Sequence, residues 1–171
     1  MIKVLQYDIT DLDVDIIVNA ANTSLLGGGG VDGAIHHAAG PELREACKKL
    51  GGCPTGEARI TPGFRLKAEW IIHAVGPVWY GGGKGEPQLL DSCYRSAFHL
   101  ALETKARSIA FPCISTGIYR YPKEDAARIA LKVMHEYEKD FRSIVACCFD
   151  AENAVIYRKL SGPGGQEEDD L

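Results

Sequence analysis

Short apolar runs separated by polar or glycine-rich joints make up the 171-residue chain, and their spacing alternates between strand and helix periods. Ile2 to Gln6 is a brief apolar run followed by polar residues and predicts a strand. Val14 to Asn19 is nearly continuous and β-branched, the signature of a strand buried on both faces. Ala34 to His37 predicts a short helix stopped by Gly40 and Pro41, and Glu42 to Leu50 a second helix. Glu57 to Thr61 and Trp70 to Val75 predict strands, with a Pro62–Gly63 turn between them. Helical spacing covers Leu89 to Glu103. Ser108 to Ile114 predicts another buried strand, and Lys123 to Tyr137 a helix that Pro122 enters favourably. Ser143 to Phe149 predicts the last strand and Ala151 to Leu160 the last helix. Gly51 to Pro54 reads as a loop, and Gly81 to Glu86 as a flexible one. From Ser161 the chain turns to Gly, Pro and acids, and a disordered tail is expected over 161–171.

Strands alternating with helices predict an α/β fold with the sheet between two helical layers. Alternation fails between Glu57 and Val75, where two strands follow each other, so the sheet is expected to be mixed. The length suits one domain with its own core, assigned to residues 1–160, and no internal repeat is visible.

Charge changes this picture little. The net charge is −4, but Glu167, Glu168, Asp169 and Asp170 lie in the tail. Leaving those four out of the 23 acids brings parity with the 19 Lys and Arg. A neutral body has no general attraction for a nucleic-acid backbone. The six cysteines show no Cys-x-x-Cys pair and no zinc spacing, which predicts reduced thiols in a cytoplasmic protein and no metal. The N-terminus lacks a basic start followed by an apolar stretch, so neither signal peptide nor bilayer span is expected. A monomer is expected.

The candidate chemistry is concentrated in Ile17-Val-Asn19-Ala-Ala-Asn22-Thr-Ser-Leu-Leu-Gly27-Gly-Gly-Gly30-Val-Asp32-Gly33-Ala-Ile-His36-His-Ala-Ala-Gly40. An apolar run ends in two asparagines, four glycines follow, and an acid precedes a helical segment. Glycines let backbone approach a ligand, a helix N-terminus favours an anion, and open α/β sheets bind ligands at the carboxyl ends of their strands. The simplest ligand is a phosphate-bearing nucleotide. The run is neither a P-loop nor a Rossmann fingerprint, because no Gly-Lys-Ser/Thr follows and the acidic partner is misplaced. Asp32 reads either as the N-cap of that helix or as a carboxylate facing a sugar. Asn22 reads as a turn residue or a ligand amide. Asn19 reads as structural, holding the loop through backbone bonds. Asp8 reads as a loop carboxylate capping local N–H groups. Ser115-Thr116-Gly117-Ile118-Tyr119 reads as a second turn between a strand and a helix. Glu57, Glu69 and Glu86 have no spacing that pairs them with Asp32, as a two-carboxylate glycosidase would need.

Four further segments, in order, turn this into a resemblance. Tyr7-Asp8-Ile9-Thr10, Pro54-Thr55-Gly56-Glu57-Ala58, Ile72-His73-Ala74-Val75-Gly76-Pro77-Val78-Trp79 and Ser115-Thr116-Gly117-Ile118-Tyr119-Arg120-Tyr121-Pro122 are similar to motifs of the macrodomain family. Together with the glycine loop they resemble its MacroD-type branch of ADP-ribose hydrolases. The resemblance implies the three-layer α/β/α macrodomain fold, with a mixed and mostly parallel sheet. It implies hydrolysis, without cofactor or metal, of the ester between the distal ribose of ADP-ribose and an acyl group. Substrates and partners would be proteins mono-ADP-ribosylated on Asp or Glu, and O-acetyl-ADP-ribose, with phosphate-linked ADP-ribose on nucleic acid as a side substrate. A non-catalytic ADP-ribose reader and an ADP-ribose 1″-phosphate phosphatase are the alternatives. By the same resemblance Asp8 accepts from the adenine amino group, with Ile9 beside it. Ala21, Gly28, Gly29, Gly30 and Val31 wrap the ligand, and Asn22 and Asp32 are catalytic at the distal ribose, near His36. Ser115, Thr116, Gly117 and Ile118 close on the diphosphate, and Tyr119 packs on the ribose. The attacking water is activated by Asp32 or by a substrate phosphate. Arg120 stands where the family has Gly, which predicts an altered loop because a non-Gly residue resists positive φ.

Overall fold

The computed structural model describes residues 1–162, so the predicted acidic tail lies outside the described residues except for its first two positions. Six strands form one sheet: β1 (Ile2–Gln6), β2 (Ile16–Ala21), β3 (Ala58–Pro62), β4 (Trp70–Val75), β5 (Ser108–Phe111) and β6 (Ser143–Cys148). Their order is β1-β6-β5-β2-β4-β3. The β3–β4 pair is antiparallel and the other four pairings are parallel, giving the mixed sheet that the broken alternation predicts.

Five α-helices cover the sheet: α1 (Gly30–Ala39), α2 (Glu42–Leu50), α3 (Glu86–Glu103), α4 (Lys123–Tyr137) and α5 (Ala151–Ser161). Strand side chains alternate between two apolar layers. Ile16, Val18, Ile72 and Ala74 face α3, α4 and α5, where Tyr94, Phe98, Met134 and Tyr157 are buried. Ile17, Ala21, Ile71 and Val75 face α1 and α2, where Ile35, Leu43 and Cys47 are buried. The result is the three-layer α/β/α architecture.

Several boundaries differ from those predicted, each for a physical reason. β2 starts and ends two residues later than the apolar run, because Asp15 is spent on a junction: its carboxylate accepts from the backbone N–H groups of Arg107 and Ser108. β5 ends at Phe111, ahead of Pro112, which has no N–H for the ladder. α1 begins four residues before Ala34, at Gly30, and α5 runs through Ser161, past the start assigned to the tail. The Gly81–Glu86 segment is not a free loop. Glu86 is buried at the start of α3 and its carboxylate accepts from the backbone N–H groups of Tyr80, Gly82 and Lys84 at 2.6–2.9 Å. Those bonds hold its carboxyl down at about 2.

Candidate functional site

The parallel strands all end at one edge of the sheet, so the loops after β1, β2, β4, β5 and β6 share it. β2 and β5 are neighbours whose following helices go to opposite faces, α1 against one layer and α4 against the other. Chain direction therefore splits between them and opens a crevice, the place where open α/β sheets take ligands.

The β2 side of that crevice is the glycine loop. Asn22 stitches it: Oδ1 accepts from Ser24 N–H (3.1 Å), Ser24 Oγ (2.6 Å) and Leu25 N–H (3.2 Å), and Nδ2 donates to Gly27 O (3.0 Å). The turn role is thus realised, and one Nδ2 hydrogen remains. Gly29 is the N-cap of α1 and carries no side-chain cap, so the first N–H groups of the helix lack that partner. A Cβ on Gly29 or Gly30 would meet no atom within 4 Å, so this backbone is open on its outer side. Gly28, Gly29 and Gly30 are exposed, Val31 is half-buried and Ala21 is buried at the end of β2.

Asp32 is not an N-cap. It is the third residue of α1 and its side chain turns inward, 5% exposed. Oδ1 accepts from Asn19 Nδ2 at 2.8 Å and lies 3.4 Å from His36 Nε2. Oδ2 faces the loop, where a Cβ on Gly28 would stand 3.2 Å from it and 3.5 Å from Asn22 Nδ2. Asn22, Gly28 and Asp32 therefore converge. Burial pushes the Asp32 carboxyl up, against the opposing effects of the Asn19 bond and of His36. His36, whose ring lies under Gly27, joins this group.

Asn19 corrects the sequence reading. Its side chain does not hold the loop through backbone bonds; it bridges Asp32 and, at 3.1 Å, His73 Nδ1. His73 in turn lies 3.0 Å from Thr61 Oγ1 through Nε2. His73 sits in a motif quoted for its resemblance but was not among the candidate site residues. The available signal was period two: Asn19 and His73 interrupt buried faces that are otherwise Ile17, Ala21, Ile71 and Val75.

The β5 side of the crevice is the second loop. Thr116 donates to Cys113 O through its backbone N–H and, at 2.9 Å, through Oγ1. Arg120 N–H donates to Gly117 O, Tyr121 N–H to Ser115 O, and Trp79 N–H to Tyr119 O, which ties the loop to the exit of β4. Ser115 and Arg120 take left-handed backbone, φ 68° and 61°. Arg120 thus keeps a glycine-like conformation rather than reshaping the turn. Ser115 is buried, Gly117 exposed, Tyr119 half-buried, and Ile118 is 88% exposed. Gly76 abuts the Ser115 side chain, so the loops after β4 and β5 touch.

At the far end, Asp8 caps the Ile9–Asp11 turn, with Oδ1 accepting from Thr10 N–H and Thr10 Oγ1, and Ile9 is buried beneath. Tyr7 N–H donates to Cys148 O, which brings the β1 exit beside Phe149. Phe149 is 87% exposed, an aromatic face that sequence reasoning passed over as the end of a strand.

A sandwich with two backbone-rich loops and one buried carboxylate at its switch point defines an α/β ligand-binding protein of the nucleotide type. The Macro domain family model matches residues 18–130, and the chain belongs to that family. A macro domain-containing protein of Chlorobaculum tepidum is 57% identical over 167 residues, 96% of this chain and 97% of that protein. The O-acetyl-ADP-ribose deacetylase of Klebsiella pneumoniae is 52% identical over 165 residues, 92% of this chain and 94% of that enzyme. Among solved structures, the Trypanosoma brucei macrodomain in complex with ADP-ribose superposes with a TM-score of 0.86 at 46% identity, over 94% of this chain and 69% of that one.

Proposed function

We propose that this chain is a MacroD-type hydrolase that binds ADP-ribose and cleaves the ester between its distal ribose and an acyl group. The substrates are proteins mono-ADP-ribosylated on Asp or Glu, and O-acetyl-ADP-ribose. One observation carries the reading: a buried carboxylate, held by one oxygen, turns the other toward an open glycine backbone beside an uncapped helix N-terminus. The similarity to the Klebsiella O-acetyl-ADP-ribose deacetylase supports the hydrolysis, and that to the ADP-ribose-bound Trypanosoma macrodomain supports the binding.

In this reading the diphosphate lies between the first turn of α1 and the Ser115–Tyr119 loop. Preorganised backbone N–H groups there stabilise charge without reorganising. The adenine lies at Asp8 and Phe149. Asp8 spends Oδ1 on its cap, and Oδ2 accepts from the adenine amino group, a bond that a guanine carbonyl cannot supply. The distal ribose sits at Gly28, with the spare Nδ2 hydrogen of Asn22 on one hydroxyl. A water held by Asp32 Oδ2 attacks the acyl carbonyl, the ester bond to the ribose oxygen breaks, and that oxygen takes up a proton. The proton of the water goes to Asp32 or to a substrate phosphate. A carboxyl raised by burial is a stronger base than a free one. Holding water and ester together supplies the proximity term.

The test is a time course on a protein mono-ADP-ribosylated at Glu or Asp, with the parent beside Asp32→Ala and ADP-ribose binding measured on both by calorimetry. Label loss with the parent alone, yielding ADP-ribose, is the expected result. Tight binding with no label loss would make the chain a reader. Release of inorganic phosphate from ADP-ribose 1″-phosphate, with the ester left intact, would make it a phosphatase.

A further inference from the structure

We infer that His73 is a positioning residue for this site, acting through Asn19 to fix which oxygen of Asp32 faces the ligand. The inference rests on the hydrolase reading above and extends it to a side chain that no ligand reaches.

The placement follows from register. Asn19 on β2 is paired with His73 on β4, and both point into the layer under α1 and α2. Thr61 lies on β3, the next strand of the sheet. Asp32, Asn19, His73 and Thr61 thus form a polar string through an apolar layer, crossing from a helix over three strands. Asn19 and His73 are fully buried.

Hydrogen counting fixes the direction of every bond in the string. Asn19 Nδ2 carries two hydrogens. One goes to Asp32 Oδ1 at 2.8 Å and the other to His73 Nδ1 at 3.1 Å. His73 Nδ1 must then be bare, so the imidazole carries its proton on Nε2 and donates it to Thr61 Oγ1 at 3.0 Å. Cys47 Sγ, at 3.9 Å from Nε2, is the more distant neighbour. Burial holds the imidazole neutral, with its pKa pushed down to about 3.

The string has a cost that shows its purpose. With Nδ2 aimed at both partners, Asn19 Oδ1 is buried with no hydrogen-bond partner among the described residues. A buried orphan acceptor is unusual and calls for an explanation. The reverse orientation would set Oδ1 against the Asp32 carboxylate and leave two donors orphaned instead of one acceptor. Two contacts favour the observed orientation: the Asp32 carboxylate, which accepts one Nδ2 hydrogen, and the bare Nδ1 of His73, which accepts the other. Held this way, Asn19 ties down Oδ1 of Asp32 and leaves Oδ2 turned toward Gly28, where the water and ribose are placed.

Three measurements test this. Histidine-selective 15N spectra of the parent protein read the tautomer directly and need no turnover. A bare Nδ1 and protonated Nε2, unchanged from about pH 5 to 8, is expected. A proton on Nδ1 would overturn the inference whether or not the protein hydrolyses anything. In H73L the acceptor is gone, and kcat for label release is expected to fall about tenfold or more while ADP-ribose affinity stays within about threefold. In H73N, Oδ1 takes the place of Nδ1, and kcat is expected to return to within about threefold of the parent. A folded H73L with parental kcat, or H73N as slow as H73L, would overturn it. A parent that releases no label would sink the hydrolase reading instead, and the tautomer spectrum would then decide the positioning role alone.

Discussion

At the scale of single residues, Asp32 is held at a cost. Burial is the largest influence on its carboxyl and raises its pKa, while the Asn19 bond and His36 pull the other way. An acid whose folded pKa is raised favours folding most when protonated, and that contribution is lost as pH rises through the raised value. At neutral pH the ionised group therefore works against the fold. Asp32→Asn keeps an oxygen to accept from Asn19 and removes the buried charge. Its expected behaviour is a melting temperature at pH 7.5 equal to or above the parent's, with ester hydrolysis abolished. A clearly lower melting temperature would show that the Asn19 and His36 contacts outweigh the burial. Asn22→Ala should behave differently, because its side chain makes four hydrogen bonds within the loop. A loss of about 1–2 kcal/mol in denaturant stability is expected along with the loss of turnover. Asn22 thus shapes the loop in addition to the ligand contact proposed for it, and an activity assay on it alone would confuse the two roles.

At the scale of elements, two junctions set the loops. The first turn of α1 rests on the glycine loop so closely that a Cβ on Gly33 would stand 2.6 Å from the Gly28 carbonyl oxygen. Gly→Ala inside a helix normally gains about 0.5–1 kcal/mol. Here the clash reverses the sign. Gly33→Ala is expected to lose about 1–3 kcal/mol and to weaken ADP-ribose binding in calorimetry, since the Gly28 segment must move. The second junction is Arg120, whose left-handed backbone strains any residue with a Cβ. Arg120→Gly should gain up to about 1 kcal/mol in urea unfolding, and an unchanged or lower stability would show that the guanidinium holds the loop. The sequence made these elements legible unevenly. α2, β4 and α4 match their predicted bounds, because clear periodicity meets a Gly or Pro boundary. α1 starts four residues before the helix its spacing predicts, since Gly30, Val31 and Asp32 are poor helix formers whose geometry comes from packing on Gly28. The loop order and the convergence of Asn22, Gly28 and Asp32 were visible from spacing and resemblance. The partners of Asn19 were not, because they lie 13 and 54 positions away and meet it only through the packing of α1 on the sheet and the register of β2 with β4.

At the scale of the whole molecule, three buried titratable groups shape how stability depends on pH. His73 is held down from an ordinary 6.5 to about 3. The unfolded chain therefore takes up that proton first, and stability falls as pH drops from about 6.5 toward 3. Glu86 is held down from an ordinary 4.5 to about 2, chiefly by the Tyr80 N–H bond. Its contribution is complete above 4.5 and lost as pH falls toward about 2. Asp32 acts in the opposite sense, gaining on protonation. Of the three, only His73 pulls stability down between pH 6.5 and 4.5, against whatever Asp32 gains there on protonation. Across that window, urea midpoints should fall more with dropping pH in the parent than in H73N, which has no imidazole to protonate. E86Q should keep the decline in that window and make the curve less steep below 4.5, where His73 still contributes down to about 3. An H73N curve that still fell like the parent's would show that the imidazole is already charged in the folded protein. A charged ring has no bare Nδ1, so the amide of Asn19 would lose its acceptor. The unfolding curve of the entire domain thus reports on the same nitrogen that orients Asp32, in an experiment that uses neither ligand nor substrate.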